Sequence, residues 1–250
     1  MAALVAGIGL VGQDAAAQQA PRNDGWQFAL TPYVWFSGVS GDVRTRSQRD
    51  PDVNVSASFG DLMSHLDGIP FMGTAEVRNG RMGLVVDLLT LSLKQDITTR
   101  DVLFDGGKGT VTATTGTVLG LYRAVDTPRQ SLDIGAGLRP WDITTKLTLN
   151  SGAARAVSGK ASGTWADPVL ALRYHLNLGS GFGLTAYGDA AGFGVGSIMS
   201  WQAIGSVDYD ANHWLTLRAG FRYLSVDRKN DVQRFDISMA GPFIAATFRF

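Results

Sequence analysis

The sequence has no cysteine among its 250 residues, which excludes a disulfide scaffold, a thiolate metal site, a cysteine nucleophile and a lipidated-cysteine anchor. Charge is scarce, at 18% of residues against roughly 25% in an ordinary soluble domain. The 22 basic residues are balanced by 22 acidic ones, so the chain lacks the basic surplus that a nucleic-acid partner calls for. After the first dozen residues there is no apolar run long enough to form a membrane-spanning helix. What is present in excess is glycine, 31 residues, without the triplet period of collagen. Hydrophobic content is an ordinary 45%, too high for a disordered chain. Low charge, high glycine and no hydrophobic block together point to an all-β chain that can face lipid.

The first twelve residues, MAALVAGIGLVG, are apolar and small, and QDAAAQQAPRND follows. That pairing has the form of the apolar region and small-residue cleavage zone of a secretory signal peptide. Residues 1–20 are expected to be such a signal, truncated at its start because the basic leading region is missing. Residues 21–25 then form a short N-terminal segment, and 26–250 the folded domain.

From Trp26 onward apolar residues recur with period two, the spacing of strands. Trp26, Phe28, Leu30, Pro32, Val34 and Phe36 share one face, with Gln27, Thr31, Tyr33 and Ser37 opposite. In 131–142, Leu132, Ile134, Ala136 and Leu138 alternate with Asp133, Gly135, Gly137 and Arg139. In 215–223, Leu215, Leu217, Ala219, Phe221 and Tyr223 alternate with Thr216, Arg218, Gly220 and Arg222. Each strand thus has one continuous apolar face and one that carries charge or glycine. A soluble β-sandwich would alternate too. Three features favour a closed transmembrane barrel instead. The strands reach or exceed the ~9–11 residues that a tilted strand needs to cross hydrocarbon. The connections alternate between short and long, as in outer-membrane barrels with short periplasmic turns and longer outer loops. The sequence closes on an alternating strand, IAATFRF, with a terminal aromatic residue.

The expected architecture is a closed antiparallel barrel of about ten strands, with eight or twelve as alternatives. Strands are placed near 26–45, 70–79, 82–94, 110–124, 131–146, 164–177, 182–190, 198–210, 214–226 and 234–250. The register of 82–94 and 110–124 stays open because both faces are apolar or threonine-rich. A change of parity near Gly241-Pro242 suggests a bulge in the last strand. In the first outer loop Phe59, Leu62, Met63 and Leu66 fall on one face of a short helix. Ser58 and Asp61 are positioned to cap it. It either packs on the barrel rim or dips into the mouth as a plug.

Several stretches together carry a resemblance: WQFALTPYVWFSGVSGD (26–42), FGDLMSHLD (59–67), EVRNGRMGLVVD (76–87), the long segment 165–202 and AGFRYLSVD (219–227). The chain resembles a family of proteobacterial outer-membrane β-barrel proteins, some with porin-like names. Its most specific part runs from Gly188-Asp189 through Gly192-Phe193-Gly194 to Ser197 and Gln202. The resemblance implies a barrel and an outer-membrane location. It brings no reaction, ligand or cofactor, and a porin-like name does not establish conductance.

Parity turns the charges inward: Glu76, Asp133, Asp167, Asp189 and Asp208 as acids, and Arg78, Arg139, Arg173, Arg218, Arg222 and Arg249 as bases. In a small barrel, side chains fill most of the interior, so these charges are expected to pair across a narrow, mostly closed lumen. A narrow polar permeation path is the alternative, and replacing Arg218 and Arg222 together with alanine is expected to raise conductance and lower thermal stability. Phe248 and Phe250 are read as the signal to the barrel-assembly machinery, with Trp26 in the inner aromatic girdle. Expected partners are periplasmic chaperones, that machinery, outer-membrane lipids and lipopolysaccharide, with no nucleic acid. No cofactor or metal is expected, since His65, His175 and His213 lack ligand spacing. Asp50-Pro51-Asp52 in an outer loop evokes a barrel protease, and a lipid-modifying enzyme would need Ser–His–carboxylate on an outward edge. Neither constellation is complete, so no enzyme is expected.

Overall fold

A strand whose two faces differ in polarity must bury one of them. Here the polar face is the one turned inward. The computed structural model describes residues 25–45, 53–97, 104–151, 156–229 and 233–250. Its elements are β1 (Trp26–Trp35), β2 (Gly38–Thr45), β3 (Val53–Ala57), α1 (Phe59–Ser64), β4 (Phe71–Asn79), β5 (Met82–Ile97), β6 (Phe104–Asp126), β7 (Gln130–Ser151), β8 (Val157–Gly179), β9 (Phe182–Ala191), β10 (Met199–Asp210), β11 (Leu215–Lys229) and β12 (Gln233–Arg249). The expected signal segment 1–20 lies outside the described residues, as does 21–24.

Ten antiparallel staves close the wall: β1 with its continuation β2, then β4 to β12 in sequence order. Closure is made by β12, which meets β1 at Leu30↔Phe248 and Trp35↔Phe243 and β2 at Gly38↔Ala240. The short β3 adds to the free side of β2. Closure matters energetically because an unpaired strand edge has no water to bond in hydrocarbon, and only a closed sheet pairs every backbone group. The turns at one end are tight. Gly80 (φ 54°) supplies the left-handed residue between β4 and β5, and Ser180 and Gly181 do so between β8 and β9. Both termini of the barrel lie at this short-turn end, and the longer connections gather at the other.

The exterior is apolar. On β10, Trp201, Ala203 and Val207 face out while Gln202, Ser206 and Asp208 are buried. Phe28, Leu30, Leu170, Leu172, Phe221 and Ile244 are each about half exposed on the outer wall. A water-soluble domain could not carry so much contiguous apolar surface; a transmembrane barrel requires it. The register left open between the two apolar strands is unbroken, from Met82↔Tyr122 to Ile97↔Gly107. The expected bulge at Gly241-Pro242 is absent. The β11–β12 register runs straight through Phe221↔Pro242 and Arg222↔Gly241. Odd-numbered residues of β12 keep facing in, and the parity only looked broken because Phe243 and Met239 are apolar residues of the interior. The interruption lies opposite, at residues 36–37, where Trp35 Nε1 donates to the Gly241 carbonyl at 3.1 Å. A side chain at Gly241 would collide with the backbone of Phe36.

The loop helix α1 carries its capping box: the Asp61 amide donates to Ser58 Oγ and the Ser58 amide to the Asp61 carboxylate. Leu62 is buried, and Phe59 meets Phe36 edge-on at 5.1 Å. The following residues bond to β5 through Asp67 N–Ser92 O and Lys94 N–His65 O. The helix therefore packs on the rim.

Candidate functional site

The inward residues of the staves form layers across the lumen. Nearest the short turns, Asp133 of β7 accepts hydrogen bonds from Arg78 (3.0 Å), Arg123 (2.9 Å) and Arg173 (2.8 Å), contributed by β4, β6 and β8. Arg173 also grips Glu76 with both terminal nitrogens, at 2.7 and 2.8 Å. Bidentate, charge-assisted bonds of this kind are among the stronger ones available to side chains. Glu76 and Arg173 stand four staves apart, so this pair crosses the barrel rather than running along its wall.

A second layer lies deeper. Arg222 of β11 reaches Asp87 of β5 at 2.8 Å, Tyr33 Oη of β1 at 2.7 Å and Gln202 Oε1 of β10 at 2.9 Å. Tyr33 and Thr74 donate to the same Asp87 carboxylate. On the other side Arg139 pairs with Asp189 at 2.5 Å and donates to Thr117 and Ser200, while Tyr187 donates to Asp189. Towards the long loops the chemistry changes. Trp35, Leu89, Trp141, Leu224 and Val226, from four different staves, form a buried cluster with Met72, Met239 and Phe243 against it. The lumen is thus polar in one half and packed with apolar side chains in the other.

Asp167 is fully buried and belongs to a different device. It accepts from Trp141 Nε1 (3.1 Å), from the Ser197 amide (2.6 Å) and from Ser197 Oγ (2.8 Å). These bonds pin the 192–198 loop against the mouth. Gly192 and Phe193 take positive φ there, and a side chain at Gly196 would come within 2.5 Å of Asp167 Oδ1. The most specific stretch of the family resemblance is therefore a folded loop with its anchor. Beside it Arg228 lies over the Trp165 ring at 3.7 Å, and Trp165 stacks on Trp141.

Asp208 accepts from Thr185 and Ser206, with His175 Nδ1 and Arg218 Nε each at 3.6 Å. Arg249 bonds to Asp210 at the short-turn rim. All the sequence-selected charges face the lumen. Asp167 joins a loop anchor rather than an arginine pair, and Arg218 makes no close pair. Asp87 and Arg123 were not singled out: Asp87 sits in a strand apolar on both faces, and Arg123 at a strand end. The alternation Val85–Asp87–Leu89 was the available signal. Trp26 is exposed on the outer wall, stacked on Phe28, and pairs with Asn79 rather than β12. Phe248 stacks on Trp214.

Described residues line two cavities of the lumen. One of about 140 Å³ sits mid-lumen among Tyr33, Asp87, Tyr187, Arg218 and Arg222. The other, about 560 Å³, is a vestibule at the short-turn end. Among the described residues no cluster of three metal-ligating side chains exists. His213 lies in a short turn, His65 on the opposite rim, and Asp50 and Asp52 fall outside the described residues. At α1, outside the wall, hydrogen bonds from Ser58 hold the Asp61 carboxyl below its ordinary range.

No protein-family model matches the sequence, and no curated protein matches it. Among solved structures, the outer membrane protease OmpT from Escherichia coli superposes with a TM-score of 0.56, covering 93% of this chain and 99% of its own at 8% identity. The translocator domain of the autotransporter NalP from Neisseria meningitidis aligns over 91% of this chain and 89% of its own, at 12% identity and a TM-score of 0.42. Ail, the attachment invasion locus protein of Yersinia pestis, aligns over 91% and 99% at 13% identity and a TM-score of 0.34. At such identities the OmpT match is one of fold and not of chemistry. The chain is a closed ten-stranded transmembrane β-barrel, similar in fold to that protease.

Proposed function

We propose that the protein is an integral barrel of the bacterial outer membrane with a closed lumen, whose role is structural or interactive rather than that of a pore or an enzyme. Its short turns face the periplasm and its long loops the exterior. The observation that carries this reading is the pair of barriers in series: Arg222 bridging to Asp87 across the lumen, and the Trp35–Trp141–Leu224 layer beyond it. An ion crossing the second layer would shed its water with nothing polar to replace it, which is costly. That layer also revises one expectation: replacing Arg218 and Arg222 leaves the apolar barrier in place and should not by itself open the lumen. The non-enzymatic reading is supported by the donors that hold both carboxylate oxygens of Asp133 and of Asp167, which leaves them poor bases. What the exterior offers to a partner or to lipopolysaccharide is α1, the anchored 192–198 loop and the ends of the long strands. Planar-bilayer recording of the refolded protein tests the reading. It should be silent; steady, large conductance would establish the small passive pore instead.

A further inference from the structure

Arg218 is set apart from the other lumen arginines. Arg78, Arg123, Arg139, Arg173, Arg222 and Arg249 each donate at least two hydrogen bonds to side chains. Among the described residues Arg218 donates none. Its Nε is buried without a partner, and its one ionic neighbour, Asp208, stands 3.6 Å away. Asp208 takes its short hydrogen bonds from Thr185 and Ser206, at 2.5 and 2.7 Å, and stays beyond hydrogen-bond reach of Arg218. Among the described residues none of its five guanidinium N–H donors has an acceptor within hydrogen-bond distance.

Position gives this a meaning. Arg218 lines both the mid-lumen cavity and the vestibule, so it stands in the throat between them with Thr31, Thr74, Arg173 and Thr185. The vestibule wall holds five arginines against two acidic side chains, Glu76 and Asp133, and the terminal carboxylate of Phe250. Those two acids are consumed by Arg78, Arg123 and Arg173, and Asp210 behind the rim by Arg249. Thr31 and Thr247 add hydroxyls, 2.9 Å from each other. We infer that the short-turn vestibule is a binding site for a small oxyanion, a carboxylate or a phosphate, seated on Arg218. A planar guanidinium fork presents two parallel N–H groups, the geometry that such anions match. The inference holds whether or not the barrel conducts.

The test is equilibrium dialysis of the refolded full-length barrel, in zwitterionic detergent at constant ionic strength, against radiolabelled inorganic phosphate. Saturable binding approaching one phosphate per barrel is expected, displaced by acetate. Arg218→Gln should bind roughly tenfold more weakly or worse, the loss of one charge-assisted pair. Arg228→Gln, at the opposite end, should bind as the wild type does. Heat-modifiable gel migration verifies that each variant is folded. Arg218→Lys, which keeps the charge and loses the fork, should bind with intermediate affinity. Absence of saturable binding to the wild type, or equal binding by Arg218→Gln and the wild type, would overturn the proposal.

Discussion

The Arg222–Asp87 bridge allows a quantitative test of what holds the lumen together. Arg222 is 5% exposed and makes three side-chain hydrogen bonds, to Asp87, Tyr33 and Gln202, while lying 5.0 Å from the Trp35 ring centre. Arg222→Met removes the guanidinium and keeps the volume. Asp87 then retains only the Tyr33 and Thr74 hydroxyls as donors. Breaking a buried pair on one side typically costs about 3–5 kcal/mol. The adjoining cavity, about 140 Å³, can admit water, so the lower end of that range is expected. Removing both charges with Arg222→Met and Asp87→Leu eliminates the stranded carboxylate. What remains is the cost of unpaired Tyr33, Thr74 and Gln202 groups, about 1–3 kcal/mol before they bond to one another or to water. The double variant should therefore recover most of the stability lost in the single one. Urea unfolding in bilayers, followed by tryptophan fluorescence and gel migration, measures both. If Arg222→Met unfolds like the wild type, or the double variant is as unstable as the single, then the bridge does not stabilise the wall in this way.

Gly196→Ala should lever the 192–198 loop away from Asp167, because the added methyl meets Asp167 Oδ1 at 2.5 Å and the Ala166 carbonyl at 2.7 Å. Overpacking of this sort costs about 1–3 kcal/mol, and faster chymotryptic cleavage at Phe193 should report it. Deleting Phe250, or replacing Phe248 and Phe250 with alanine, should lower outer-membrane levels and raise periplasmic degradation; unchanged levels would reduce these residues to packing. The α1 cap should depend on pH. Since Asp61 is held below its ordinary value of 3.8, its contribution is complete above that value and lost as pH falls through the lower folded one. A lower amide protection factor at Asp61 and Leu62 in acid, once the intrinsic slowing of exchange is divided out, is the measurement, and Asp61→Asn should show no such change.

Much of the wall was legible because one rule governs it. Side-chain period two assigns each residue a face, and Asp133, Arg173 and Arg222 alternate with Leu132, Leu172 and Phe221 without ambiguity. The rule loses force where both faces are apolar. There Asp87 was hidden among valines and leucines that also point inward, and Phe243 and Met239 imitated a bulge. Ion-pair partners were not legible either, because strand order around a barrel sets who meets across the lumen. Arg222 and Asp87 are 135 residues apart in the chain. The role of Asp167 depended on the return of a loop, and the isolation of Arg218 on its standing 3.6 Å from Asp208.

The strand lengths have a further consequence. β6, β7 and β8 run to 23, 22 and 23 residues, about 75 Å of chain at ~3.3 Å per residue. Tilted by about 40°, they still rise far above a hydrocarbon band of about 25 Å. β9 is only 10 residues long and pairs with β8 no further than Val169↔Ala191. Above that point, among the described residues, the flank of β8 from Val157 to Thr164 has lost its neighbour. The closure that protects the barrel in the membrane thus ends in water, where a sheet regains a border able to recruit a foreign strand. The composition of that border opposes recruitment. Gly159 and Gly163 weaken its hold on an extended shape, and Lys160 sits exposed and directly opposite Lys146 of β7. Exposed lysine on a strand edge is a common guard against aggregation. Here it stands on the tallest part of the molecule, where the wall rises clear of the lipid.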